Sequence, residues 1–152
     1  MKLQSILAAL GALILAGCDY DAPITEKPSA KIDERLLGTW LQKGEKPQLL
    51  RIRKYSDMEY VLDYDGLFRA FFSEIGGKRF VNVQTLEPAK SSERKYAFVT
   101  YELKDEHTLV VHTVNKNVLP DSLHTSGEIA AALERELKNP RLLDEEPAVF
   151  IR

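Results

Sequence analysis

The residues around Asp65-Gly66 leave this chain little freedom in how it folds. Apolar side chains alternate with polar ones on both sides of that pair, so the two flanking stretches read as strands of a hairpin. A two-residue turn would set Leu62 against Arg69 and Tyr60 against Phe71, mixing apolar with charged or outward positions. A three-residue loop, Tyr64-Asp65-Gly66, puts Gly66 at the left-handed bulge position and pairs Leu62 with Phe68, Tyr60 with Ala70 and Met58 with Phe72. A slip of one residue turns a whole strand face over, so the second register is expected. Gly76-Gly77 then reads as another tight hairpin, which sets Val81 and Val83 opposite Phe72 and Ala70 on the same inward face.

The same short alternation, punctuated by turn residues, recurs along the chain. Strands are expected near residues 38–43, 48–54, 58–64, 67–75, 78–85, 95–103, 107–115 and 147–152. One helix interrupts them. Thr125 and Glu128 form a capping box, Ile129, Leu133 and Leu137 repeat every fourth residue, and Asn139-Pro140 stops the helix. A sheet extended hairpin by hairpin either exposes two edges or closes on itself, and about eight short strands suffice for a small barrel. The expected fold is therefore all-β: an antiparallel up-and-down barrel with one helix before the last strand.

The chain has 152 residues and a formal charge of −2, with no basic stripe to neutralise phosphates, so nucleic acid is not expected as a partner. The N-terminus reads as a targeting segment. Lys2 precedes an apolar run from Ile6 to Leu15, which at about ten residues is too short to span a bilayer but suits a secretory signal. Leu15-Ala16-Gly17-Cys18 resembles the lipobox of bacterial lipoproteins. That resemblance implies a signal peptide over residues 1–17, cleavage before Cys18, and acyl chains such as palmitate on that cysteine. Cys18 is the single cysteine of the chain, and lipidation would consume a thiol that is a liability in an oxidising compartment. Asp19 resembles the retention signal of enterobacterial lipoproteins, which implies the inner membrane, facing the periplasm. Residues 18–31, polar and broken by Pro23 and Pro28, read as a flexible, lipid-anchored tether, with the folded domain over 32–152.

Leu36-Leu37-Gly38-Thr39-Trp40, after a helical-looking Ile32 to Arg35, resembles the first strand of lipocalins and their calycin relatives. That resemblance implies a barrel whose base is plugged by Trp40. It also implies an arginine from the end of the sheet stacked on the indole, and Arg152 is the residue placed to supply it. The chain departs from the lipocalin pattern in having no paired cysteines and in placing its helix before the last strand. It also resembles uncharacterised bacterial lipoproteins with a Leu-Gly-x-Trp start and an Asn-Pro after the helix, a likeness that implies no activity.

Motifs for chemistry are sparse. His107, His112 and His124 do not share a face, His107 and His112 being five apart on one expected strand, so no metal site is expected. Asp63-Tyr64-Asp65-Gly66 lacks the remaining ligands of a calcium loop. No nucleophile elbow or phosphate loop occurs, and no cofactor or enzymatic activity is expected. Arg51, Arg53 and Lys54 form the densest basic spot and read as a solvated outer face. Met58, Tyr60, Leu62, Phe68, Phe72, Val81, Val83 and Phe98, with Tyr64 and Tyr96, either line a ligand cavity or fill the barrel as core. Two functions stay open: a non-enzymatic, membrane-anchored envelope domain that binds another envelope protein, or a carrier of a small apolar ligand.

Overall fold

The computed structural model describes residues 19–87 and 94–152. A single 3-10 turn, Glu34–Leu36, leads into β1 (Gly38–Gln42), β2 (Leu49–Lys54), β3 (Tyr60–Asp63), β4 (Leu67–Ile75) and β5 (Lys78–Thr85). β6 (Tyr96–Asp105) and β7 (Thr108–Thr113) follow, then α1 (Ser126–Glu136) and β8 (Ala148–Ile151). Each strand pairs antiparallel with the next, and β8 returns to β1, closing an eight-stranded barrel. The architecture is compatible with a lipocalin-like fold. Leu41 near the end of β1 faces Ile151 at the end of β8, so the strands are staggered around the barrel, as closure requires.

The hairpin registers follow from burial. Tyr60 faces Ala70 and Leu62 faces Phe68, while Ala70 faces Val83 and Phe72 faces Val81. In the first turn Asp65 adopts the left-handed conformation, with φ 48°, and Gly66 takes φ 133°. The left-handed position thus falls one residue earlier than the bulge pattern predicts. Gly76 and Gly77, with φ 57° and 80°, make the second turn. β3 begins only at Tyr60, so Met58 lies in the bend before it and has no partner opposite Phe72. His107 likewise lies in the turn before β7 rather than in the strand.

Apolar side chains form two layers. One fills the barrel, around Trp40, Tyr60, Phe68, Phe72, Val83 and Phe150. The other lies outside β4, β5 and β6, where Phe71, Phe80, Tyr96 and Phe98 meet Ile129 and Leu133 of α1. α1 starts as its capping box requires: the Thr125 hydroxyl accepts from the Glu128 amide at 3.2 Å. Because β4 to β6 are covered on both faces, they carry apolar residues on both, and their alternation is blurred.

The segment expected as a flexible tether is part of the fold. Tyr20 and Ile24 are completely enclosed in the outer layer. Tyr20 exchanges two backbone hydrogen bonds with Tyr96, of 3.1 and 2.9 Å, on the edge of β6 that β7 has already left. Ala30 bridges to Phe72 on the edge of β4 that the short β3 leaves open. The unsatisfied backbone groups of these edges, and the apolar roof over β5, hold residues 19–31 in place against their polar composition.

Candidate functional site

The barrel interior is nearly full. A cavity of about 70 Å³ remains, lined only by apolar surface, with Tyr60, Leu62, Phe68, Phe72, Val81 and Val83 among its walls. Tyr64 joins them, as do Tyr101 and Phe150, which the strand pattern does not single out for this role. Three of the expected lining residues are elsewhere. Phe98 points outward from β6 and packs against Tyr20, with ring centroids 4.4 Å apart at a tilt of 32°, and Tyr96 shares that outer face. Met58 belongs to neither apolar layer. Strand parity explains Phe98: Ala97 and Val99 occupy the inward positions of β6, so the residue between them must face out.

Each lining tyrosine aims its hydroxyl away from the cavity and has it paired. Tyr64 bonds Gln42, Tyr60 gives its proton to the Asp33 carbonyl at 2.9 Å, and Tyr101 donates to the Asp33 carboxylate at 2.9 Å. Burial pushes the Tyr60 and Tyr101 hydroxyls above the usual phenol range. The space therefore presents carbon alone, with no polar group to orient a ligand.

The base of the barrel is a closed plug. Trp40 is fully buried and donates its indole N–H to the Leu36 carbonyl at 2.9 Å. The Arg152 guanidinium lies 4.1 Å from the Trp40 ring centroid and donates to the carbonyls of Leu37, Arg35 and Glu106 at 2.8–3.0 Å. Trp40 and Arg152 thus come together as the sequence suggests. Beside them Asp33 accepts from Arg35, whose guanidinium holds its carboxyl below the usual carboxylate range, and from Tyr101. The sequence pattern gives no hint of this Asp33 cluster, because Tyr60 and Tyr101 reach Asp33 only through the fold.

The barrel's outer faces differ. α1 and residues 19–30 roof β4 to β6, whereas β8, β1 and β2 present Ile151, Leu41 and Leu49 in one cross-strand row, exposed by 37, 39 and 42 %. On the roofed side, Asn82 ties the segment down: its carbonyl oxygen accepts from the Ile24 amide at 2.8 Å, and its amide donates to Ser73 at 2.8 Å and to the Phe71 carbonyl. The signal that could have found this is an asparagine at an outward position of a strand apolar on both faces.

In the basic spot, Arg51 faces Asp63 and Lys54 pairs with Asp57 at 3.0 Å, as expected of a solvated face. His112 contacts the Asp144 carbonyl and His124 lies 2.7 Å from Asp21, so the histidines are dispersed. Among the described residues no group of His, Cys, Asp or Glu is arranged to hold a metal, and no helix is long and apolar enough to cross a membrane. Cys18 lies outside the described residues. No family model, no curated protein and no solved structure matches the chain.

Proposed function

We propose that this chain is a lipoprotein of the bacterial envelope, acylated on Cys18 and held at the inner membrane facing the periplasm. Its barrel is a non-enzymatic binding domain for another envelope protein. The observation that carries this reading is the contrast between inside and outside. The interior keeps about 70 Å³ of space, against roughly 300–1,000 Å³ for ordinary ligand pockets. The uncovered flank of β8, β1 and β2, by contrast, offers the row Ile151, Leu41 and Leu49 at its surface. Adjoining apolar side chains at the surface are the kind of area a protein contact would cover. Support for the anchor is the Leu15-Ala16-Gly17-Cys18 motif after a short apolar run.

A photoreactive amino acid at Leu49, in intact cells, is expected to give a discrete protein adduct, while the same group at Tyr55 gives none. Absence of any adduct at Leu49 or at Leu41 would remove the protein-binding reading. Cys18→Ala is expected to abolish incorporation of labelled acyl chains. Persisting label would sink the lipoprotein reading.

Carriage of a small apolar ligand is the second reading, favoured by the wholly apolar lining of the cavity. Benzene binds in an engineered cavity of about 150 Å³, so even so small a cargo requires these walls to part. Titration with an apolar fluorescent dye separates the readings, since carriage demands saturable, one-to-one binding that Phe72→Trp blocks.

A further inference from the structure

We propose that residues 19–30 fix the barrel in one pose on a lipid bilayer, with the rim around Asp19, Lys95, Lys116 and Leu67 against the headgroups. The inference rests on acylation of Cys18 as read above.

A flexible tether would let the domain tumble freely beneath its anchor, but the described chain has no slack at that point. Tyr20 is 1 % exposed, its ring packs against Phe98, its hydroxyl donates to the Leu119 carbonyl at 2.6 Å, and its backbone is bonded twice to Tyr96. Two residues of chain span at most about 7 Å. The Cys18 backbone therefore stays within that reach of Tyr20, and a lipid on its side chain enters the membrane near this point. Further along, the Ile24 amide is bonded to Asn82, and the Ser29 amide donates to Phe72 at 2.9 Å, so the segment is fastened at both ends.

The fastening point lies at a defined end of the barrel. Tyr96 begins β6, and the starts of the even strands and the ends of the odd ones share that rim. Leu67 begins β4 on the same rim and is 47 % exposed; its carbonyl accepts from the Leu86 amide, and Thr85 in turn bonds Lys95. The base plug, with Trp40 and Arg152, lies at the other end. The two carboxylates nearest the anchor each have a cation: Asp19 pairs with Lys116, and Asp21 with Lys95 and His124. Left unpaired, both would face lipid phosphates. Paired, they lessen the repulsion this would cause, and the exposed Leu67 lies on the same rim.

The test uses the full protein recovered from bacterial membranes and reconstituted into vesicles of phosphatidylethanolamine and phosphatidylglycerol containing a nitroxide lipid. A fluorescent amino acid is placed at Asn117, on the rim, or at Tyr55, at the opposite end. Quenching is expected to be several-fold stronger at Asn117, and Tyr20→Ala with Ile24→Ala should bring the two positions closer to equality. Equal quenching in the unsubstituted chain, or stronger quenching at Tyr55, would overturn the fixed pose. So would a probe at Asn117 that stays unquenched in vesicles yet cross-links to a protein in the native envelope, which would assign the rim to a protein partner. Mass analysis of the N-terminal peptide keeps the two levels apart. An acylated Cys18 with equal quenching defeats the pose alone, and an unacylated chain defeats the lipoprotein reading and the pose with it.

Discussion

Arg152 shows how much one terminal side chain can hold. Its guanidinium covers Trp40 and ties three carbonyls from two separate segments, so it joins the last strand, the 3-10 turn and the β6–β7 turn. Arg152→Ala should lower stability by about 2 kcal/mol, combining the stacking with partly exposed hydrogen bonds, as read from a urea titration. Arg152→Lys should recover little, because a single ammonium cannot reproduce the planar fork. Asp33 supplies a pH dependence at the same base. Its carboxyl is held below the usual range, first by Arg35 and then by Tyr101, while burial opposes them. A depressed native pKa stabilises the fold fully above the ordinary aspartate value, ~3.9, and that contribution disappears as pH falls through the native value. Asp33→Asn should therefore be less stable than the parent at pH 7, with the difference shrinking below about pH 4. A gap that stays constant down to pH 2 would show that the carboxylate charge is irrelevant.

At the scale of elements, the segment before the barrel changes what a strand face can be. Outward positions on β5 would normally be polar, yet Phe80 and Asn82 are fully buried there because residues 20–30 and α1 cover them. Asn82→Leu removes the acceptor of the Ile24 amide and leaves Ser73 and the Phe71 carbonyl without their donor. Buried polar groups left unpaired cost ~1–3 kcal/mol each, so a loss of about 2–4 kcal/mol is expected in thermal unfolding. The same variant should open residues 20–30 to limited proteolysis while the parent resists cleavage there. Rapid cutting of the parent in this stretch would mean that the segment is loosely held after all. Pro23 and Pro28 do not oppose the packing, since the segment runs as a succession of bends with only isolated bridges and needs few of its own amides.

For the whole molecule, closure between β8 and β1 decides whether there is a barrel at all. β8 pairs with both β7 and β1, and Phe150 is fully buried in the interior. Deleting residues 147–152 removes two ladders at once, uncovers two strand edges and opens the core beneath them. The truncated chain is expected to be unfolded or aggregated by circular dichroism and sedimentation, a far larger effect than Arg152→Ala. A truncated chain that stays monomeric and cooperative would show that the remaining seven strands close without it.

The division between sequence and structure follows from the range of the interactions. Strand spans, the hairpin registers on both sides of β4, and the capped helix were readable locally, because period, turn residues and caps act within a few positions of one another. Closure and the Arg152–Trp40 stack were also anticipated, the stack from the likeness of Leu36-Leu37-Gly38-Thr39-Trp40 to the lipocalin first strand. Misplaced were Phe98, Tyr96 and Met58, and the state of residues 19–31. Each depends on which sheet edges stay unpaired and which outer face is roofed. Alternation records only that a face is apolar, not what covers it. The pairing of Tyr20 with Tyr96 joins residues distant in sequence, and the same holds for Asp33 with Tyr101 and for Ile24 with Asn82. Only the closed barrel, by leaving open backbone groups on β4 and β6 and an apolar surface between them, turns a polar, proline-broken stretch into a buried strap.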